Sequence, residues 1–452
     1  MSLFTPDKEW EAPPTPFGGF IDGKPAVTGP HLLVSGVSGS GKTRRVLAPA
    51  ILMWKGPVVA ISSKPDLVDT TLTNRAQWGG ANHTYVLDLS GEVPAHVLPE
   101  GVSKVVVDPT VLIENDDDAI DIANLLIQSG TAGAMSGSIK SGDAFWDTIA
   151  ISPLAAILRA ASIISTDSIS GIDWARKAIS KQVLKDEDPE ETPSWELAVE
   201  ILEDSIIGDK LVSAIALESK MRDSIAITME SALAPWMRST VIGNGTEKVF
   251  TPDLLENPGA TLYIIAPATG IAAGAAVSVV DVISKRWRAN QSESVKLPHL
   301  LMVVDEATNT MPWPKLPVVV TESRAMGISL LIAVQATQQF SKRYGKEGME
   351  ELRSIFPSTL ILVGAPEKIM LENAAWWSGK TERTKAMIDH QHRQGRTSER
   401  ADNLEATDLL PRDMDHGRLL RGTRPGHVGT IPEAGLLVDL RDISKIKITR
   451  KP

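Results

Sequence analysis

The sequence predicts an α/β protein, a mostly parallel sheet flanked by helices, that is interrupted by an all-α insertion. Two observations support this prediction. Short apolar runs rich in β-branched residues alternate with helical patterns in the first and last parts of the chain, whereas residues from about 115 to 240 have helical periodicity and no strands. Runs that are apolar on both faces are typical of parallel strands that helices cover on both sides. We therefore expect an α/β core and a separate helical domain.

The predicted strands of the core are short apolar runs, each followed by turn residues. They are His31–Ser35, Pro57–Ser62, Thr84–Leu89, Val105–Asp108, Ala260–Ala266, Leu300–Val304, Ser329–Val334 and Thr359–Val363. The chain is accordingly divided into four segments: an extended, Pro- and Gly-rich N-terminal arm (1–30), the first part of the α/β domain (31–114), the all-α domain (115–240) and the second part of the α/β domain (241–452).

Composition excludes several classes of protein. With 42% hydrophobic and 23% charged residues among 452, the chain has the composition of an ordinary globular protein. It has no cysteine, which excludes disulfides, thiolate nucleophiles and Cys-ligated zinc. The net charge of -10 argues against a broadly basic surface but leaves room for a basic channel. The N-terminus lacks the order of a signal peptide, and the longest apolar stretch, Leu262–Ile283, is interrupted by Pro, Gly and Asp. We therefore expect a soluble, cytoplasmic protein.

A phosphate-binding motif follows the strand His31–Ser35. Residues Gly36–Thr43 read GVSGSGKT, which is G-x-x-x-x-G-K-T between a strand and a helix. The glycines allow backbone N–H groups to surround phosphate oxygens, Lys42 reaches the β- and γ-phosphates, and the Thr43 hydroxyl binds Mg²⁺. The predicted ligand is ATP with Mg²⁺, and the predicted binding residues are Gly36, Ser38, Gly39, Ser40, Gly41, Lys42, Thr43 and Arg44. The α/β domain is therefore predicted to bind a nucleotide.

Two adjacent carboxylates follow another buried strand. Leu300–Val304 runs directly into Asp305 and Glu306, at the carboxyl end of a strand, where ligands bind in open α/β sheets. Asp305 is predicted to hold Mg²⁺ through water, and Glu306 to act as the general base that polarises the attacking water. Taken alone, the pair could equally be two surface acids that end a strand.

Two further residues are candidates for catalysis. Arg324 ends a predicted helix one strand away from the Asp-Glu pair, where a ring ATPase offers an arginine finger to the neighbouring subunit. Gln335 follows the strand Ser329–Val334, where it could sense the γ-phosphate or orient the water. From the residues alone, an ordinary surface arginine and a polar strand cap are open alternatives.

The ordered pieces of the chain resemble the TraG/TraD-like coupling ATPases of conjugation and type IV secretion. The pieces that resemble the family's motifs are Lys55–Asp66, Gly79–Leu89, Asp143–Trp146, Thr261–Pro267, Asp305–Ala307 with Glu322–Arg324 and Val334–Gln335, Phe340–Gly345 and Gly379–Thr381. The resemblance implies a RecA-like P-loop NTPase core, an all-α domain that faces the substrate, and ATP-driven translocation of DNA. It also implies a homo-hexamer around a central channel with ATP at the subunit interfaces, in which Arg324 is the trans arginine finger and Gln335 the phosphate-sensing glutamine.

The chain departs from this family at two places. The family usually carries N-terminal transmembrane helices, whereas here 35 residues precede Gly36. The family's Asp-Pro-Lys-Gly is replaced by Ser62-Ser63-Lys64-Pro65, which lacks the aspartate. Contact with the membrane is therefore expected only through a partner protein, at its inner face. The other expected partners are DNA and a relaxase or other transfer or secretion proteins.

The stretch Trp376–Arg400 is locally basic. It contains six Lys and Arg residues against three Asp and Glu, together with His390 and His392. Three interpretations are open: a pore or clamp that contacts phosphates, a loop that reaches a neighbouring subunit, or a solvated, mobile surface loop. Trp376 and Trp377 could stack on bases or divide between core and interface.

Two functions from different classes follow from these observations. The preferred hypothesis is an ATP-hydrolysing motor that moves DNA, with a relaxase-linked single strand as the expected substrate, in conjugative transfer or type IV secretion. The alternative is a nucleotide-switched scaffold that recruits a protein cargo with little DNA pumping. Glu306 favours turnover of ATP, whereas the acidic net charge is also compatible with the scaffold.

Overall fold

The structure, a computed structural model, describes residues 15–133, 141–166, 170–181, 192–267, 272–289, 296–388, 394–427 and 432–446. Within these ranges the strands are β1 (Phe20–Ile21), β2 (Lys24–Pro25), β3 (His31–Ser35), β4 (Val58–Ser62), β5 (Thr84–Asp88), β6 (Ser103–Val106), β7 (Lys248–Val249), β8 (Thr261–Ile265), β9 (Leu300–Val304), β10 (Ile328–Val334), β11 (Ser358–Ile361), β12 (Lys380–Ile388), β13 (Gln394–Asp402), β14 (His416–Leu420) and β15 (Leu436–Asp439).

The α-helices in the same ranges are α1 (Ala48–Met53), α2 (Asp66–Gly79), α3 (Asp116–Gly133), α4 (Ser141–Ile164), α5 (Gly171–Ile179), α6 (Trp195–Ile201), α7 (Ile206–Ile215), α8 (Ser219–Leu233), α9 (Ser239–Ile242), α10 (Ala273–Ala289), α11 (Ala307–Thr310), α12 (Leu316–Met326), α13 (Ser341–Ile355) and α14 (Lys368–Trp377). A turn of π-helix, Thr43–Leu47, leads into α1.

The chain forms two compact units. The first consists of Met1–Trp54 and Ser329–Pro452, and the second of Lys55–Ile328. These units do not correspond one to one with the four segments predicted from the sequence, and that division stays a prediction.

In the first unit, β3 lies between two parallel neighbours. It pairs with β10 on one side, where Ser35 lies opposite Val334, and with β11 on the other, where Ser35 lies opposite Ile361. The strands β14, β15, β1 and β2 continue the sheet from β11 in antiparallel pairs. All five residues of β3 are buried, as a strand rich in Leu and Val at the centre of a parallel sheet requires. The carboxyl ends of β10, β3 and β11 therefore lie at one edge.

The second unit contains a parallel sheet in the order β9-β4-β8-β5-β6-β7. The strands β4, β5, β8 and β9 are buried at every residue, which explains their apolar sequences. Between β6 and β7 the chain forms the helices α3 to α9, and α4 packs against α3, α5, α6, α7 and α8. This helical segment and the parallel strands belong to the same unit.

The helix α4 is unusually apolar. Within the described residues, Phe145–Ile164 is the one helical stretch long and apolar enough to cross a membrane, and half of its most apolar window is buried inside the protein. Leu154, Ile157 and Leu158 are fully buried against the surrounding helices. The apolar side chains of α4 are therefore those of the central helix of a helical bundle.

Several sequence predictions agree with these elements, and others differ. The predicted strands His31–Ser35 and Leu300–Val304 match β3 and β9 at both ends, whereas Val105–Asp108 was placed two residues too late. The predicted extended arm contains β1, which pairs with β2 and with β15, and its side chains Phe17 and Phe20 are buried.

The interpretation of Trp376–Arg400 as a mobile surface loop was wrong, and the interpretation as a pore or clamp that contacts phosphates stays a prediction. The chain there completes α14 and then forms a two-stranded antiparallel ribbon, β12 and β13, in which Lys380 pairs with Asp402 and Ile388 with Gln394. Alternating Thr, Arg and Lys residues tolerate a strand, although charge and low hydrophobicity suggested a loop. His390 and His392 lie outside the described residues.

Candidate nucleotide-binding site

The loop Gly36–Thr43 leaves the carboxyl end of the central strand β3. Its backbone continues the hydrogen bonding between β3 and β10 for one residue, because Gly36 N donates to Val334 O at 3.1 Å. The loop then turns back on itself through a hydrogen bond from Ser40 N to Val37 O at 3.2 Å and enters the helix when Arg45 N donates to Gly41 O at 2.9 Å. A buried strand, a tight loop and a helix N-terminus are therefore joined as the sequence motif requires.

Two glycines of the loop adopt a backbone conformation that favours glycine. Gly39 has φ +78° and Gly41 has φ +88°. A Cβ atom on Gly39 would have open space within 4 Å. At Gly36 the restriction is steric, because a Cβ there would lie 2.5 Å from Ser40 Oγ. The glycines thus serve the turn and the close approach of the backbone to Ser40.

The polar groups of the loop fit a phosphate. Lys42 is 8% exposed, and its Nζ donates to Gly36 O at 2.5 Å and to Val37 O at 3.2 Å. Ser40 Oγ is buried and, among the described residues, has no hydrogen-bond partner. A buried hydroxyl that makes no hydrogen bond is costly, and a phosphate oxygen would supply an acceptor. Ser38, in contrast, is exposed at the top of the loop.

The two arginines that follow Thr43 are anchored to the C-terminal part of the chain. Arg44 donates to both carboxylate oxygens of Asp442, at 2.8 and 2.7 Å, and Arg45 donates to Asp415 Oδ1 at 2.5 Å. The hydrogen bonds from Arg44 hold the pKa of the Asp442 carboxyl well below its usual range and raise the pKa of Arg44. The start of the helix after the loop is therefore held by two ion pairs, and the predicted contact between Arg44 and a nucleotide stays a prediction.

Gln335 lies beside the first residue of the loop. It follows β10, whose last residue pairs with Ser35, so Gln335 and Gly36 continue neighbouring parallel strands. Its backbone N–H donates to Gln339 Oε1 at 3.2 Å, and the side chain is half-buried. The structure thus brings Gln335 to the phosphate loop within the first unit.

The acidic pair Asp305–Glu306 lies at the carboxyl end of β9 in the second unit. Asp305 N donates to Ile61 O at 2.8 Å, and the Asp305 side chain is 8% exposed. Thr310 Oγ1 donates to Asp305 O at 2.8 Å and fixes the turn into α11. Glu306 has φ +50° and ψ +47°, in the left-handed region that a residue with a long side chain rarely adopts. Such backbone strain is concentrated at functional sites.

Two other residues of the second unit were singled out in the sequence. Ser62 lies beside the acidic pair, and Arg324 lies on the surface. Ser62, at the position of the family's aspartate, ends β4 one residue after Ile61, which pairs with Val304, and its hydroxyl donates to Asp66 Oδ1 at 3.0 Å. Arg324 lies in the last turn of α12 with its side chain exposed. Within the described residues, no ion pair or side-chain hydrogen bond involves Arg324. An exposed guanidinium in this position is available to another molecule.

Sequence reasoning missed one buried acid at the edge that carries the phosphate loop. Glu367 lies between β11 and α14, is 2% exposed, and accepts a hydrogen bond from Ser35 Oγ at 2.7 Å. An acidic residue shortly after a buried strand next to β3 was a signal that could have identified it.

Trp376 and Trp377 are at the end of α14 and are both exposed. The Arg421 guanidinium lies 5.4 Å from the centre of the Trp377 ring and donates to the carbonyl oxygens of Ser354 and Arg353. Burial lowers the pKa of Arg421. Trp377 therefore packs on a cation, and neither tryptophan is part of the buried core.

A comparison with solved structures finds the same fold. The structure matches the bacterial conjugative coupling protein TrwBdeltaN70 in an unbound monoclinic form with a TM-score of 0.63 and 16% identity, over 98% of this chain and 92% of that chain. It matches the plasmid coupling protein TrwB in complex with the non-hydrolysable GTP analogue GDPNP with a TM-score of 0.61 and 17% identity, over 98% and 92%. TrwB in complex with ADP and Mg²⁺ matches with a TM-score of 0.60 and 17% identity, over 91% and 85%. No curated protein matches the chain in sequence.

The strand, loop and helix around Gly36–Thr43, together with this structural likeness, define a P-loop protein with a RecA-like α/β fold, as the sequence predicted. The family described as "Type IV secretory system Conjugative DNA transfer" matches residues 2–369. The chain belongs to that family, and the resemblance to TraG/TraD-like coupling proteins is confirmed.

Proposed function

We propose that the protein is a coupling ATPase that hydrolyses ATP to move DNA during conjugative transfer. The observation that carries the proposal is the loop Gly36–Thr43, in which glycine geometry, the buried Ser40 hydroxyl and the Lys42 ammonium all fit a polyphosphate. Membership of a conjugative DNA transfer family supports the process, and complexes of TrwB with ADP and Mg²⁺ and with nucleotide analogues support the ligand.

The phosphate loop would bind the nucleotide through charge and backbone dipoles. On binding, Lys42 Nζ would exchange the carbonyl oxygens of Gly36 and Val37 for β- and γ-phosphate oxygens, which are stronger acceptors. Ser40 would donate its hydroxyl, and the N–H groups of the loop would surround the β-phosphate. These contacts position the γ-phosphate at the mouth of the loop.

The acidic pair would supply the base for hydrolysis. Glu306 would accept a proton from the attacking water, which adds to the γ-phosphorus as ADP leaves. The Thr43 hydroxyl and the Asp305 carboxylate are hard oxygen donors of the type that Mg²⁺ prefers, so they would hold the ion, which neutralises charge on the phosphates when bound. The side chain of Gln335 would orient the water or sense the γ-phosphate from its place beside Gly36.

The exposed Arg324 supports assembly into a ring. An arginine that no described residue neutralises could reach the γ-phosphate held by an adjacent subunit and stabilise the transition-state charge. We propose a homo-hexamer with ATP at the subunit interfaces, in which DNA occupies the central channel. A relaxase or another transfer protein would deliver the DNA. The protein would work in the cytoplasm or at the inner face of the membrane, where a partner protein would hold it.

The experiment that tests this function measures ATP turnover at low salt with no DNA, with single-stranded DNA and with double-stranded DNA. We expect turnover that DNA stimulates, and we expect Glu306→Gln to reduce it by about a hundredfold or more while ATP binding is retained. Glu322→Gln is the matched control, because Glu322 is an exposed carboxylate paired with Arg288 at 2.6 Å, and it should leave turnover unchanged.

The same measurement identifies the alternative. If the protein binds nucleotide but neither form of DNA changes its turnover, the motor proposal is wrong and a nucleotide-switched scaffold for a protein cargo explains the site better. If the protein binds no nucleotide, both functions are excluded.

A further inference from the structure

The buried carboxylate of Glu367 connects the chain segments that follow three adjacent parallel strands. Glu367 itself lies after β11, and its Oε1 accepts hydrogen bonds from Ser35 Oγ at the end of β3 and from Thr337 N after β10, both at 2.7 Å. Its Oε2 accepts from Thr337 Oγ1 at 2.6 Å. One side chain thus contacts the residue before Gly36 and a residue two positions after Gln335.

The charge of Glu367 is balanced within the same network. Arg353 Nη2 lies 3.7 Å from Glu367 Oε2, and Arg353 Nε donates to Thr337 Oγ1 at 2.7 Å. Burial of a carboxylate is unfavourable unless hydrogen bonds and an opposite charge compensate it, and here both are present. A buried polar network in which every member has a partner holds its parts in one arrangement.

The segment held by Glu367 is the one that carries Gln335. The backbone of Gln335 is fixed at its own N–H by Gln339 Oε1, and two residues later Thr337 is fixed by Glu367. On the other side, Ser35 connects directly to Gly36, whose N–H is bonded to Val334 O. The strand pairing of β10 with β3 sets the position of Gln335 relative to the first residue of the phosphate loop, and the Glu367 carboxylate adds a second connection between the two segments just beyond that pairing.

We propose that Glu367 is a positioning residue for ATP hydrolysis, which acts by holding Gln335 in register with the phosphate loop. The inference rests on the proposed function, since it assigns Gln335 a role at the γ-phosphate. Because ADP lacks that phosphate, loss of the register reduces turnover of ATP much more than affinity for ADP.

The test uses Glu367→Gln, which preserves size and one carbonyl oxygen but removes the charge and the second acceptor. We expect kcat for ATP to fall about tenfold, with KM and the Kd for ADP changed by less than about threefold. In a Gln335→Ala background the same substitution should reduce kcat by less than about twofold, because the residue through which it acts is already absent. Thr337→Val, which removes the bridging hydroxyl but not its volume, should give the same pattern.

Glu372→Gln is the matched control. Glu372 is exposed on α14, and its partner is Lys368 at 3.5 Å, so this variant should behave as the wild type. The inference would be overturned if kcat were unchanged in both Glu367→Gln and Thr337→Val. It would also be overturned if Glu367→Gln reduced kcat as much in the Gln335→Ala background as in the wild type. An effect on unfolding temperature without an effect on kcat would also overturn it.

A separate measurement keeps the inference distinct from the proposed function. Hydrogen exchange of the nucleotide-free protein reports the network directly, and Glu367→Gln should accelerate exchange in both Gly36–Thr43 and Gln335–Phe340. If the wild type shows no ATP turnover, the proposed function is wrong and this exchange experiment alone decides whether Glu367 joins the two segments. If both segments of Glu367→Gln exchanged at the same rates as in the wild type, Glu367 would not join the two segments.

Discussion

At the scale of single residues, the charged and polar groups of the phosphate loop already have the arrangement that a phosphate needs. Lys42 donates to two carbonyl oxygens of its own loop, so its ammonium is confined to the loop before it exchanges these acceptors for phosphate oxygens. Preorganisation of this kind reduces the entropy that binding costs. Ser40 adds a buried donor that a phosphate would satisfy.

Substitution of Lys42 tests this arrangement. We expect Lys42→Ala to weaken MgATP binding by about tenfold to a hundredfold, because a hydrogen bond to a charged group contributes about 1.5–3 kcal/mol. Titration with a fluorescent ATP analogue measures the change. Lys64→Ala is the control, since Lys64 is exposed. An unchanged Kd in Lys42→Ala would remove the loop from the binding site.

The ion pair between Arg44 and Asp442 predicts a dependence of stability on pH. The pKa of Asp442 is lowered by folding, so its contribution is present above the unfolded pKa of about 3.9 and is lost as the pH falls through the lower folded value. Because Arg44 is largely exposed, we expect Asp442→Asn to cost only about 0.5–1 kcal/mol at neutral pH. Denaturant unfolding from neutral to acidic pH should show this difference shrinking below a pH of about 4. A difference that persists in strong acid, or that remains in an Arg44→Gln background, would contradict the assignment.

Sequence reasoning reached the residues whose partners are close in the chain and missed those whose partners are distant. Gly36–Thr43 and Asp305–Glu306 are recognisable because the motif itself contains the chemistry. The contacts of Glu367 with Ser35 and of Asp442 with Arg44 join residues more than 300 positions apart. The sequence could mark Glu367 as an acid that follows a buried strand, but only the fold brings it to Ser35, so composition and spacing could not reveal these contacts.

At the scale of elements, the parallel strands were predictable because burial on both faces leaves a continuous apolar sequence, as in β3 and β9. The short strands β1 and β2 were not, since two residues carry no periodicity and their pairing with each other and with β15 is set by tertiary packing. The ribbon β12–β13 was missed for a related reason: its sequence lacks the alternation of apolar and polar residues that identifies a strand.

The junction between β3 and its loop makes a prediction about packing. We expect Gly36→Ala to lower the free energy of unfolding by about 1–3 kcal/mol, because its Cβ would lie 2.5 Å from Ser40 Oγ and 3.0 Å from Leu362 Cβ. Ser40→Ala in the same chain removes the closer atom, so the double variant should recover part of the loss. Chemical denaturation of the two single variants and the double variant measures this coupling. Purely additive effects would show that the two residues do not contact one another.

At the scale of the whole molecule, similarity extends further in structure than in sequence. The family match ends at residue 369, whereas the likeness to TrwBdeltaN70 covers 98% of the chain at 16% identity. A fold is conserved through burial patterns that many sequences satisfy, while function depends on particular sites. The α/β class was therefore predictable from the sequence, whereas the homo-hexamer that the family resemblance implies stays a prediction, because a single chain does not show its neighbours.

The proposed ring makes a prediction that no single subunit can satisfy. If Arg324 acts on ATP held by an adjacent subunit, Arg324→Ala and Lys42→Ala should each abolish turnover, and a mixture of the two should regain it. In an equimolar random ring, about a quarter of the interfaces would combine an intact phosphate loop with an intact arginine, so we expect up to about a quarter of wild-type turnover. The control mixes Arg324→Ala with the double variant Lys42→Ala/Arg324→Ala, in which no interface is intact. Assembly of both samples is verified by sedimentation. If turnover in the first mixture is then no higher than in the control, Arg324 does not act between subunits.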